Sequence, residues 1–321
     1  MTETRSDEVD VVVIGGGAAG LSGALTLARA RRSVLVVDAG APRNAPAAGV
    51  HGLLALDGIP PADLLARGRR EVRGYGGRIV HDEVRTAVRE EDGFAVGLAG
   101  GGSVRARRLL VTTGLVDTLP EVPGLRERWG RDVLHCPYCH GWEVRDRAVG
   151  VLATGPQSVH QALLFRQWTA DVVLFAHRTE PPAGEDAERL AALGVPVVTG
   201  EVAAVESAGD RLTGVRLADS TVVARDALAV ATRMEARAGF LAGLGLRAVP
   251  HPAGFGEHLV TDPTGRTEAP GVWAAGNVTD LSAQVGPAAA AATFAAAQIN
   301  HDLVLADADR AVAARRAAAP A

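Results

Sequence analysis

The chain contains no lysine; all 33 of its basic Lys-plus-Arg positions are arginine. That absence removes every mechanism built on a lysine Schiff base. The formal net charge is -4 over 321 residues, which offers no positive field to a nucleic acid or an anionic membrane surface. No apolar run reaches membrane-spanning length, because charged residues or glycines interrupt each one. Met1 to Asp10 is polar and acidic and leads into only four apolar residues before glycine, so no secretory signal is read there. A soluble, cytoplasmic protein is expected, with enough chain for two domains or one large one. In that compartment thiols stay reduced unless an enzyme drives them otherwise. Cysteine is also nearly absent, and its two copies are Cys136 and Cys139.

Both fall within His135-Cys136-Pro137-Tyr138-Cys139-His140. Their spacing lets the sulfurs close a disulfide across a tight turn, so the pair reads as redox-active or metal-binding rather than as a staple. A structural zinc site needs four ligands, and the chain has only two thiolates. His135 and His140 are direct neighbours of the cysteines, and side chains from six consecutive residues rarely converge on a tetrahedron. No metal is expected. A pair of inert buried thiols is the blander alternative; redox chemistry is favoured.

Residues 9–14 read as a buried parallel strand running into Gly15-Gly16-Gly17-Ala18-Ala19-Gly20. A helix follows from Leu21 to about Ala30, then a strand from Ser33 to Val37 ending on Asp38. Strand, glycine turn, helix, strand and acid make a dinucleotide-binding βαβ unit. In it Gly15 allows the tight turn, Gly17 admits a pyrophosphate to the backbone, and Gly20 lets the helix pack close. The helix N-terminus faces the phosphates, and Asp38 is placed to accept from a ribose hydroxyl. A second βαβ pattern follows: a strand Ala148–Leu152, a helix Gln157–Trp168 and a strand Asp171–Phe175. Its turn, Ala153-Thr154-Gly155-Pro156-Gln157-Ser158, has lost the first and third glycines, and Arg178 is the lone cation just past the second strand. It has the frame of a nucleotide domain without a convincing site for NADPH. Near the C-terminus, Gly271–Val278 reads as a strand and turn, with a packed alanine-rich helix from about Gln284 to Asn300. Asn277 is placed to hold a ribityl chain, and the helix start at Gln284-Val285 to face a flavin's pyrimidine edge. Residues 306–321 read as a frayed or helical tail.

The glycine fingerprint, Val111-Thr112-Thr113-Gly114, the Cys-x-x-Cys and Ala275-Gly276-Asn277-Val278 follow one another as in thioredoxin-reductase-like flavoproteins. The chain resembles that family over about residues 9–300. The resemblance implies an α/β fold of two Rossmann-like three-layer dinucleotide-binding domains: a discontinuous FAD domain (1–116 and 246–321), a domain carrying the Cys-x-x-Cys (117–245), and a homodimer. Ordinary thioredoxin reductases carry an acid after the second cysteine, where His140 stands here. Asn277 likewise replaces their usual Asp. With Pro42-Arg43-Asn44-Ala45-Pro46 and His51-Gly52, this is similar to the dithiol oxidase branch, which closes disulfides in small natural products such as holomycin, gliotoxin and romidepsin.

By that resemblance Cys136 is the exchange thiol, Cys139 lies nearest the flavin, and His140 is the general base, its ordinary pKa of about 6.5 suiting proton transfer at neutral pH. His135 either assists proton transfer or caps the turn. Ala39, Arg43, Asn44, His51, the backbone at Val84, Thr113, Gly114, Gly276 and Asn277 are implied on the FAD side. The implied reaction joins two thiols of a small-molecule dithiol, with molecular oxygen as acceptor and hydrogen peroxide as product. Alternatives are an NADPH-dependent thioredoxin or disulfide reductase, a ferredoxin-type electron source, and a non-catalytic flavin and disulfide redox sensor. The dithiol itself, whether dithiolopyrrolone, diketopiperazine or depsipeptide, is not legible.

Overall fold

The computed structural model describes residues 8–318. Its chain forms two compact units, one comprising residues up to Arg43, Ala62–Val116 and Met234 onward, the other Asn44–Pro61 and Asp117–Arg233.

The first unit is built on β1 (Glu8–Ile14), α1 (Ala18–Arg29), β2 (Val34–Asp38), α2 (Pro61–Gly74), β3 (Arg78–His81), β4 (Val84–Glu90), β5 (Gly93–Leu98) and β6 (Ser103–Val111). Its seven-stranded sheet runs β3-β2-β1-β6-β5-β4, with Val272–Ala274 also paired to β6. The strands β1 and β2 are near-continuous apolar runs because both their faces are covered. The strand β6 changes partner along its length. Residues 103–106 pair antiparallel with β5, and residues 109–111 pair parallel with Val272–Ala274. The carboxyl ends of β1, β6 and Val272–Ala274 therefore lie side by side, where open α/β sheets bind ligands.

The C-terminal helix spans Val285–Ala317, well past the expected end near Asn300. Its buried residues Ala288, Ala292, Ala295, Ala296, Ile299 and Leu303 recur at helical spacing and share a core with α1. Beside the last of them Asp302 accepts from Arg108, and beyond them Asp307 accepts from Arg32 and Arg107, at 2.6 Å each. These pairs carry the helix on where apolar packing has stopped. Residues 319–321 of the expected tail, like residues 1–7, lie outside the described residues.

The second unit holds a five-stranded parallel sheet, ordered Val197–Val198, Val172–Phe175, Val149–Leu152, Ala227–Val230, Val133–Leu134. An antiparallel three-stranded sheet, Val202–Ala208, Arg211–Leu217 and Val222–Ala224, joins it in one core. The helix Gln157–Phe165 stops three residues before the expected Trp168, in a turn whose Thr169 carbonyl accepts from Arg166 at 2.8 Å. In the buried interior, Arg128 binds both carboxylate oxygens of Asp132 and also Asp210.

Compactness divides the chain differently from the expected boundaries in two places. Residues 234–245 group with the first unit, because Leu241 is fully buried in its core. Residues 44–61 group with the second, where His51 meets Glu143. Among the described residues, no helix is long and apolar enough to cross a membrane, and no group of three or more His, Cys, Asp or Glu could hold a metal ion.

Candidate active site

The strand Val133–Leu134 runs straight into the Cys-x-x-Cys, so the motif stands at the carboxyl edge of a parallel sheet. Cys136 is the extended N-cap of a short helix, Pro137–His140, with proline at its first position where no N–H is needed. The Cys136 carbonyl accepts from the Cys139 and His140 amides at 3.2 Å each, which folds the two half-buried cysteines onto one turn. Tyr138 lies between them, 65% exposed, its ring edge-on to Trp168 at 5.9 Å. Trp142 is 64% exposed under the Arg145 guanidinium, not packed inward.

His140 has both ring nitrogens buried and neither hydrogen-bonded among the described residues. Burial holds its imidazole below the ordinary histidine value; the charge of Glu143 pulls it up, and His51 and His135 push it down. A neutral imidazole with unengaged nitrogens, next to a thiol pair, is a proton acceptor awaiting a proton. His135 is anchored instead: its Nδ1 lies 3.3 Å from the Val230 carbonyl, and its own carbonyl accepts from Gln161 at 2.7 Å. His51 lies in this unit, its Nε2 at 3.4 Å from Glu143. Glu143 and Asp57, which hold His51, were not singled out in the sequence; Asp57 is six residues from His51, and Glu143 meets it through space across more than eighty positions.

In the first unit, Gly15 adopts φ +103°, and a Cβ there would stand 2.5 Å from the Thr112 carbonyl oxygen. At Gly20 a Cβ would fall 1.8 Å from the Gly15 oxygen, so the loop closes only on glycine. The buried Thr112 hydroxyl donates to the Ile14 and Gly15 carbonyls at 3.0 and 2.9 Å, fastening the turn to β6. Space lies open above Gly17, with nothing within 4 Å of its Cβ position. The first turn of α1, which begins at Ala18-Ala19, has no side-chain cap and no acidic residue. Its unclaimed N–H groups and positive dipole end suit an anion.

Asp38 closes β2 at the same edge, accepting from Arg69 at 2.9 Å and from the Gly40 amide at 3.1 Å, with exposed Ala39 between. Asp38, Gly40 and Arg69, with Arg73 and His81, line a cleft of about 390 Å³. The two arginines and His81 come from distant α2 and β3 and had no local signal. Thr113 donates to the Arg237 carbonyl at 2.6 Å, and Gly114 takes φ +67°. Val84 is buried at the start of β4, and the Glu83 carbonyl already accepts from the Ala99 amide.

At the end of Val272–Ala274, Gly276 takes φ +80° and Gln284 caps the helix that starts at Val285. The Asn277 amide nitrogen donates to the Asp280 and Ala283 carbonyls at 3.0 and 2.8 Å. Arg43 reaches the same loop, 3.4 Å from the Leu281 carbonyl. Asn277 and Arg43 thus shape the loop before the helix, a role not read from their positions. Asn44 falls across the division in the other unit, where its carbonyl accepts from Ala47 at 3.0 Å.

The profile of pyridine nucleotide-disulphide oxidoreductases matches residues 9–298. The chain belongs to that family. Thioredoxin reductase tcpT of Claviceps purpurea (strain 20.1) is 35% identical over 288 residues, spanning 85% of this chain and 88% of its own. The crystal structure of HlmI is similar with a TM-score of 0.90 and 48% identity over 99% of each chain. An oxidoreductase from Agrobacterium tumefaciens has a TM-score of 0.87 and 35% identity, covering 93% of this chain and 99% of that one. As a thioredoxin-reductase-like member of the disulphide oxidoreductases, this chain has two dinucleotide-binding domains and uses FAD. The open Gly17 loop, the uncapped start of α1 and the acid at the end of β2 fit the diphosphate and ribose of that cofactor.

The second glycine loop differs from a nucleotide cradle. The buried Ser158 hydroxyl accepts from the Thr154 amide at 3.0 Å, taking a donor that a phosphate would need. Pro156 removes another N–H, and the Thr154 hydroxyl donates to the Ala231 carbonyl. Arg178 is paired with Glu201 through both Nε and Nη2, at 3.0 and 2.6 Å. Beside it, His177 accepts from the Val202 amide at 2.9 Å.

Proposed function

We propose that this disulfide oxidoreductase is an FAD-dependent dithiol oxidase. It joins the two thiols of a small natural-product dithiol, such as a dithiolopyrrolone, into an intramolecular disulfide. The balance is dithiol plus oxygen giving disulfide plus hydrogen peroxide. The observation that carries the reading is the self-satisfied loop Ala153–Ser158, with Arg178 already paired. An enzyme fed by NADPH needs those donors and that cation for phosphate. One fed by its own dithiol substrate does not.

The substrate's first thiolate attacks Cys136 of a Cys136–Cys139 disulfide, releasing Cys139 as thiolate. The second thiol then displaces Cys136 and closes the product. His140 takes the substrate thiol proton, since only the thiolate attacks. FAD, when bound, would supply the two-electron acceptor between the reduced cysteine pair and oxygen. Gly15–Gly20, Asp38, Thr113, Gly114, Gly276, Asn277 and the Gln284-Val285 helix start hold FAD. Tyr138 and Trp142, exposed beside the cysteines, present apolar surface to a small heterocycle. The enzyme works as a cytoplasmic homodimer, consistent with exposed Phe294, Leu305 and Val312 on the C-terminal helix.

A second reading, an NADPH-dependent reductase, is favoured by the name thioredoxin reductase carried by the Claviceps relative. Anaerobic mixing with dithiothreitol and, separately, with NADPH decides, read by flavin absorbance near ~450 nm. Bleaching by the dithiol alone, reversed by air with peroxide release, is the expected result. Rapid bleaching by NADPH returns the protein to the reductases.

A further inference from the structure

Three side chains outside the Cys-x-x-Cys, Asp57, His51 and Glu143, form a connected chain whose last member stands three residues after His140. His51 places Nε2 at 3.4 Å from Glu143 Oε1 and Nδ1 at 3.5 Å from Asp57 Oδ2. Asp57 is fixed in turn by the Gly52 amide, which donates to Oδ1 at 2.8 Å. The chain Asp57–His51–Glu143 runs from a carboxylate 66% exposed, through a ring 27% exposed, to a carboxylate 41% exposed. Both nitrogens of His140 are buried without a hydrogen-bond partner among the described residues, so a proton accepted there creates a buried cation. Such a charge is costly unless an anion answers it. Glu143 lies on the Trp142–Val144 turn that follows directly on the helix ending at His140, and with His51 from the 50–59 loop and His135 from its own segment it acts on the His140 charge. Glu143 is the anion of that set.

We propose that Glu143 is the counter-ion of protonated His140, and that His51, braced by Asp57, is a positioning residue that holds Glu143 there. The inference rests on His140 as the thiol base. When the substrate proton moves to His140 it leaves a thiolate, no electrons change hands, and the new positive charge is paired with Glu143. His51 works through Glu143: a carboxylate that exposed turns to solvent once its imidazole partner is gone. The direct effect of His51 on His140 has the opposite sign, because two imidazoles disfavour each other's protonation. That opposition gives the test its discrimination.

The experiment is a histidine NMR titration of the FAD-loaded full chain, with the His140 signal assigned by its loss in His140→Asn. Glu143→Gln is expected to lower the His140 midpoint by roughly half to one pH unit. His51→Ala is expected to lower it in the same direction, and to add nothing in the Glu143→Gln background. His51→Gln keeps a donor for Glu143 and is expected to restore the original midpoint. A midpoint unmoved by Glu143→Gln, or raised by His51→Ala, overturns the proposal. The titration is read on resting protein without dithiol. Failure of the oxidase reading therefore appears in the dithiol and oxygen assay, and failure of this inference appears in the titration.

Discussion

At the scale of single residues, His140 carries the sharpest expectation. Its base form is the neutral ring, so oxidation of a dithiol rises with pH as His140 loses its proton. Because burial lowers its pKa, the midpoint of that acidic limb lies below the ordinary value of about 6.5. His140→Ala should retain bound flavin and lose about 100- to 1,000-fold in the rate of anaerobic flavin bleaching by dithiothreitol. An unchanged rate would remove His140 from the chemistry. Asn277 supports a separate prediction. Its amide nitrogen faces backbone carbonyls of Asp280 and Ala283, which a carboxylate could only repel. Asn277→Asp should therefore cost about 1–3 kcal/mol in urea unfolding, despite restoring the acid usual in reductases. The cysteines, His140 and the glycines were legible because each motif is contiguous and its chemistry depends on local spacing. Asp57–His51–Glu143, Arg69 on Asp38 and the Thr112 clasp were not, since only folding brings their partners together.

At the scale of elements, strand and helix identities follow from local patterning, whereas their ends depend on partners. The βαβ unit at the N-terminus could be read because apolar runs, glycines and an acid occur at fixed offsets. The C-terminal helix could not be followed past Asn300, because what extends it is ionic and comes from β1, β6 and Arg32. Asp10, Asp302 and Asp307 interleave there with Arg32, Arg107 and Arg108. The hydrogen bond from Arg32, then those from Arg310 and Arg107, hold the Asp307 carboxyl well below the usual carboxylate range. A depressed carboxylate stabilises the fold fully above its unfolded value near 3.9, and that contribution disappears as pH falls through the lower folded value. Asp307→Asn should thus lower stability at pH 7 by about 1 kcal/mol, screened because the group is over a third exposed. The gap between wild type and variant in thermal unfolding should begin to narrow below about pH 4 and close only as pH falls through the lower folded value. Asp132 is the buried counterpart. Asp132→Ala leaves the Arg128 guanidinium, only 7% exposed, with Asp210 as its remaining acid partner, and should cost about 3 kcal/mol in the second unit.

At the scale of the whole molecule, each hydrophobic core belongs to one compact unit. The cores around Val12 and Leu110 lie in the first, and those around Val215 and Val151 in the second. The glycine fingerprint, Asp38 and the Asn277 turn all lie in the first unit, so on the proposed site FAD's diphosphate and ribose contacts would stabilise that unit directly. A ligand that binds only the native form adds about 2.7 kcal/mol at a hundredfold excess over its dissociation constant. Multidomain chains with tightly bound cofactors depart from two-state unfolding, and here the departure has a defined place. Hydrogen exchange on the FAD-stripped protein should speed at Val11–Val13 of β1, whose amides sit beneath the glycine turn. Exchange at Val149–Val151, in the sheet behind the Cys-x-x-Cys, should stay within a few-fold of the loaded protein. Equal loss at both would mean that the units open as one cooperative body. Loss confined to β1 would mean that the sheet presenting Cys136 and Cys139 keeps its order when the cofactor leaves.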